Sequence, residues 1–368
     1  MKIGLGLYRQ SLTDDNFRFA RQAGATHIVA HLTNYFRGKN PSLSRGDDVD
    51  GWGDCAGDRL WTYEEFADLV AAARRHDLEI GAIENLSPAF WSDVLLGGPG
   101  RKEQIEGVKT LVRDAGRAGI PCIGYNFSIA GVWGWTRGPF GRGGAMSVGF
   151  DADAIDTEVP IPDGVVWNMR FREERPGSSP TQVGEEELWQ RLEWFLGELV
   201  PVAEEAGVVL AAHPDDPPME MLRGTARLIN RPEKYNRLLQ LVPSRSNGLE
   251  LCLGALQEMP GGPIYDHVRR FARNNNIGYI HFRNVRGKVP NYHETFVDEG
   301  DLDMAEIVRI LRDEDYQGVI IPDHTPEMVC DAPWHAGKAF ALGYIRALVQ
   351  NAEALGPARP ASDTSVAA

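Results

Sequence analysis

Long apolar runs are missing from this 368-residue chain, and no stretch reaches the roughly 18 apolar residues that a membrane span requires. Basic charge is scarce as well. Thirty-eight Lys and Arg stand against 52 Asp and Glu, a net charge of -14 with no basic stripe, which argues against a nucleic-acid partner. Cysteine is sparse: Cys55, Cys122, Cys252 and Cys330 lie far apart with no CxxC pair, so there is no disulfide framework and a reducing compartment is expected. The opening MKIGLGLYRQSLTDDNF has no apolar segment behind a basic one, and a cytoplasmic location is the default expectation. Its GLGLYR also lacks the GxGxxG fingerprint with which a dinucleotide-binding sheet should open.

What is present is alternation. Eight short apolar runs recur at 2 to 7, 27 to 32, 79 to 85, 122 to 127, 208 to 214, 248 to 254, 278 to 284 and 318 to 324. Longer amphipathic segments separate them, among them TYEEFADLVAAARRHD, EEELWQRLEWFLGELVPVAEEAG and MAEIVRILRDED. Several close on Gly, as a helix C-terminus does. Continuous apolar runs suit strands buried on both faces, and eight β-α repeats predict a single (β/α)8 barrel over residues 1 to 355. The tail 356 to 368, GPARPASDTSVAA, reads as disordered. Long connections follow the second and fourth strands. In a barrel they lie at the C-terminal face, as a lid over a site or as contacts between copies of a homo-oligomer.

The last four strand-like runs each end in a metal-ligand residue type: His213 in VVLAAHPDDPP, Cys252 in GLELCLG, His281 in GYIHFRN and Asp323 in GVIIPDH. Adjacent parallel strands bring their ends together, so the four are candidate ligands of one divalent ion. Mixed nitrogen, sulfur and oxygen donors suit zinc, manganese, iron or cobalt better than magnesium. Further polar groups crowd the same ends. Arg283 is a candidate for pairing with a substrate carboxylate, and His324 for general acid or base work. Asp215 and Asp216 fit either a site or a Pro-bounded turn, and His293 and Glu294 either a site or a solvated loop.

The segments YNFSIAGVWGWTR, LVPVAEEAGVVLAAHPDDPP, SNGLELCLG, IHFRNVRG, YHETFVDEGDLDM and IPDHTPEM together resemble the mannonate dehydratase family of xylose-isomerase-like barrels. The resemblance runs from about residue 15 to 345. It implies removal of water from a sugar acid, D-mannonate to 2-keto-3-deoxy-D-gluconate, with Mn2+ on His213, Cys252, His281 and Asp323 (Fe2+, Co2+ or Zn2+ as alternatives). It also implies proton chemistry at His324. Asn126, Asp215, Arg283, His293, Glu294 and His31 are the expected substrate-binding residues.

The chain departs from the family at substrate-facing positions. A His-His-x-Pro segment becomes AHLTNYF, keeping only His31, and PDHGH becomes PDHTPEM. A family Tyr falls on APWH, which puts His335 or Trp334 in a catalytic partner's place. A divalent-metal isomerase or epimerase of the same barrel class is the alternative reading, with Glu84 and Glu250 as its proton-transfer carboxylates. A non-catalytic sugar-acid binding protein is a third.

Overall fold

The computed structural model describes residues 1–37 and 53–355. Eight parallel strands close into a barrel: β1 (Lys2–Tyr8), β2 (His27–His31), β3 (Glu79–Glu84), β4 (Cys122–Tyr125), β5 (Val209–Ala212), β6 (Asn247–Cys252), β7 (Ile277–His281) and β8 (Val319–Ile321). β1 pairs with β8 through Lys2 and Val319, which shuts the sheet on itself. Each predicted run holds one strand, trimmed at its C-terminal end in most cases. Asn126, Asp323 and His324 therefore sit just past their strands, where a side chain can face the barrel mouth. The strands pack inward on a small layer of Val29, Ala82, Cys122, Ala211, Tyr279, Val319 and Ile321. Cys122 is the buried small hydrophobe its run suggests.

Local sequence explains the surrounding helices. Thr62 and Glu65 form a reciprocal capping box that starts Tyr63–Arg74. Gly207, at φ 67°, ends Glu185–Ala206 in the left-handed conformation that glycine adopts at least cost. Helix Pro88–Leu96, in the connection after β3, was not anticipated: its moment is weak because nearly all its side chains are buried.

The connection after β4 holds more structure than a loop. Thr136–Gly141 and Ala145–Asp151 form a hairpin, and Ala145–Asp151 pairs in turn with Asn291–Glu294, which pairs with Val285–Lys288. This four-stranded antiparallel sheet covers the barrel mouth with chain from two connections, those after β4 and β7. Residues 38 to 52, the middle of the long connection after β2, and the tail 356 to 368 lie outside the described residues. Among the described residues no helix is long and apolar enough to cross a membrane.

Candidate active site

A cavity of about 650 Å³ opens at the C-terminal ends of the strands, under the four-stranded sheet. His31, Glu84, Asn126, His213, Asp216, His281, Arg283, Glu294, Asp323, His324 and Lys338 all line it. Tyr8, Tyr35, Phe36, Trp135, Trp167 and Trp334 add an aromatic wall.

The donor atoms of His213, Cys252 and His281 lie within 4.8 Å of one another, as the convergence of β5, β6 and β7 requires. Cys252 and His281 are direct partners in the register of β6 and β7. Asp323 joins from β8, with Oδ2 3.4 Å from His281 Nδ1. His213 holds its Nδ1 2.6 Å from the Pro214 carbonyl, which leaves Nε2 as the free lone pair on the cavity side. Burial pushes the His213 imidazole down, but Glu250 and Cys252 outweigh it and raise it to about 9. Burial raises the Cys252 thiol, and Arg283 with the two imidazoles reverses this and brings it to about 7. These groups are two neutralisable imidazoles, a thiol with a low threshold for ionising, and a carboxylate, and the donor set fits a divalent transition-metal ion.

Arg283 does something other than expected. Only 1% exposed, it fans into carboxylates: Nη2 contacts Asp216 and lies 3.1 Å from Glu258, while Nη1 is 2.9 Å from Glu294 and 3.6 Å from Asp323. Asp216 in turn accepts from the Tyr292 hydroxyl at 2.7 Å. The guanidinium is thus the hub of a buried network that fixes Glu294 and Asp323 at the cavity wall.

His324 stands beside that hub. Its Nδ1 meets Glu294 Oε1, its Nε2 lies 3.6 Å from Asp323 Oδ1, and Trp135 packs edge-on against its ring. Burial lowers the His324 imidazole, yet Asp323 and Glu294 prevail and raise it to about 9. On the opposite side, His31 sits between the Tyr35 hydroxyl (3.2 Å) and Glu84 (3.3 Å).

Three expected residues are not brought into the cavity. Asp215 is turned away, ion-paired with buried Arg227 at 3.2 Å and accepting the Ile229 amide, so its neighbour Asp216 takes the wall position. His293, on the outer side of its strand, packs on Phe140. His335 is exposed and bonds Asn16, while Trp334 faces the cavity. Lys338 was missed altogether. It lies a helical turn inside Pro333–Ala354 in an apolar pattern, and its Nζ reaches the Asp323 and Pro322 carbonyls. Burial lowers its ammonium to about 8, against the pull of Asp323, Glu294 and Glu84.

A closed (β/α)8 barrel with catalytic-type acids, bases and a mixed donor set at the C-terminal mouth defines a barrel enzyme whose site is built for metal-assisted chemistry on a small polar molecule. The comparisons narrow the class. The D-mannonate dehydratase (UxuA) family model matches residues 19–355, and the chain belongs to that family. It is 33% identical over 278 residues to the mannonate dehydratase of Streptococcus pneumoniae (strain 70585), covering 72% of this chain and 75% of that one. With the mannonate dehydratase of Oceanobacillus iheyensis it shares 30% over 314 residues, 80% of this chain and 87% of the relative. The crystal structure of mannonate dehydratase from Streptococcus suis serotype 2 superposes with a TM-score of 0.75 at 27% identity, over 97% and 96% of the two chains. D-psicose 3-epimerase from Clostridium cellulolyticum H10, at 13% identity and a TM-score of 0.58, shares the fold.

Proposed function

We propose that this protein is a metal-dependent hydro-lyase that converts D-mannonate to 2-keto-3-deoxy-D-gluconate. The observation that carries the reading is the joint occurrence of family membership along 19–355 with a His213, Cys252 and His281 donor set at the cavity floor. These three side chains, with Asp323, would hold the ion, for which Mn2+ is the first choice. When bound, it supplies positive charge that stabilises the anion formed as the proton beside the substrate carboxylate departs.

The residues of the chain account for the rest of the chemistry. The reaction removes a proton from C2 and hydroxide from C3, which together make one water, and the resulting enol tautomerises to the keto acid. His324, held protonated near neutral pH by Glu294 and Asp323, donates its proton to the departing C3 hydroxyl. Arg283 acts through Glu294 and Asp323 rather than on the substrate. Asn126, His31 and Lys338 offer hydrogen bonds to hydroxyl and carboxylate oxygens, and the aromatic wall with Trp135 keeps bulk water from the His324 side. All four cysteines are free, which supports a reducing, cytoplasmic setting.

The test is a panel of hexonates and pentonates given to chelator-stripped and Mn2+-reloaded protein, with the 2-keto-3-deoxy product read as its semicarbazone. Product from D-mannonate only after reloading is expected. Absence of product from every acid, with the ion bound, would overturn the proposal. Deuterium exchange into a free sugar without loss of water would instead favour the isomerase reading that Glu84 and Glu250 suggested.

A further inference from the structure

Glu250 is a buried acid for which the site described so far has no use. It lies two residues before Cys252 on β6, so strand alternation turns both side chains into the barrel. It is fully buried, and neither carboxylate oxygen completes a hydrogen bond. Its Oε1 stands 3.0 Å from His281 Nε2 and 4.0 Å from His213 Nε2. Gly124 on β4 leaves it room: a Cβ there would collide with Glu250 Oε2 and the Tyr279 hydroxyl.

An isolated carboxylate in such a place costs several kcal/mol unless a positive charge accompanies it. Among the described residues no Lys or Arg pairs with it, and the two imidazoles beside it must be neutral to serve as metal ligands. Once they are neutral, an ion between them is the positive charge left to Glu250. The distances agree with that placement. Nitrogen and oxygen ligands about 2.1 Å from one ion stand roughly 3.0 Å apart at right angles and about 4.2 Å apart when opposed. The donors of Glu84, Glu250 and His281 also cluster within 4.8 Å, sharing His281 with the His213 and Cys252 group.

We infer that Glu250 is a direct ligand of the ion, meeting it on the Nε2 side of His281, while Asp323 faces the Nδ1 edge of the same ring. The inference rests on the metal reading above and adds to it a carboxylate that the strand-end pattern did not nominate. A hard oxygen donor beside Cys252 moves preference toward Mn2+ and away from Zn2+.

The experiment is metal titration of the full-length protein by chelator competition, alongside the manganese EPR spectrum and the rise in melting temperature on adding Mn2+. Glu250→Gln, a change of charge at nearly constant shape, is expected to weaken Mn2+ binding at least 10-fold, to weaken Zn2+ binding less, to alter the spectrum and to shrink the melting rise. Mn2+ affinity and spectrum equal to those of the unsubstituted protein would overturn the inference. If Glu250→Gln does not fold, Glu250→Asp decides by the same titration: reduced affinity supports direct ligation and full affinity refutes it. Controls separate the two levels. If His213→Asn and Cys252→Ser lose the ion while Glu250→Gln keeps it, only the role of Glu250 fails. If the unsubstituted protein binds no divalent ion, the metal reading itself fails.

Discussion

His324 Nδ1 and Glu294 Oε1 lie 2.8 Å apart, and the same carboxylate oxygen accepts from Arg283 at 2.9 Å. The imidazole is thereby oriented with Nε2 toward the cavity. His324→Asn should lower kcat by about 10²- to 10⁴-fold, the usual span for loss of a general acid, with bound metal unchanged. Glu294→Gln removes a charge that raises the His324 imidazole, so the alkaline limb of the kcat profile should move to lower pH. An unmoved limb would disconnect Glu294 from the acid.

Arg283 is expected to matter more for folding than for recognising substrate. Arg283→Met leaves Asp216, Glu294 and Asp323 without their shared cation, and breaking buried pairs of this kind costs on the order of 3–5 kcal/mol. Urea denaturation in EDTA measures it without interference from the ion. Unchanged stability with a raised KM would instead make Arg283 a substrate contact.

His335 offers the converse case. It is exposed, bonds Asn16 at 3.0 Å and does not reach the cavity. His335→Ala should leave kcat and KM within about 2-fold and stability within about 0.5 kcal/mol, as surface changes usually do. A loss above 10-fold in kcat would restore it as a catalytic partner.

Asp163, in the long connection after β4, binds Arg172 at 2.5 Å and Arg175 at 3.1 Å, and the Arg172 hydrogen bonds hold its carboxyl well below the usual range. A depressed folded pKa means stability that is present in full above the unfolded value near 4 and is lost as pH falls through that value toward the folded one. Asp163→Asn should cost about 1 kcal/mol at pH 7, a typical figure for a charged hydrogen bond partly open to water. The gap to the unsubstituted protein should close between roughly pH 4 and pH 2 in thermal melts. A gap independent of pH would sink the assignment.

The barrel was legible because its strands are buried on both faces, and burial writes itself as unbroken apolar runs. The donors His213, Cys252, His281 and Asp323 were legible because each breaks such a run at its end. Glu250 breaks a run too, but in the middle, where a carboxylate suggested proton transfer rather than ligation. Asp215 and Asp216 could not be separated from sequence, since which of two neighbours faces the cavity depends on the backbone turn and on Arg227 arriving from elsewhere. The sheet over the mouth was invisible for a different reason. GRGGAMSVGFD pairs with NYHE about 140 residues later, through His293 and Gly149, and no local pattern reports a partner that distant.

That sheet divides the enzyme into a floor and a roof with separate ancestries of change. The floor is built from strand ends whose side chains share one point, so any replacement there disturbs every neighbour. The roof, Thr136–Gly141 with Ala145–Asp151 and its two later partners, hangs from the barrel by connections alone. Its cavity-facing positions, Thr136, Arg137, Met146, Ser147 and Val148, can be exchanged one by one without moving a ligand. Selection, or a designer seeking a new sugar acid, has there a surface on which specificity can drift while the reaction stays in place.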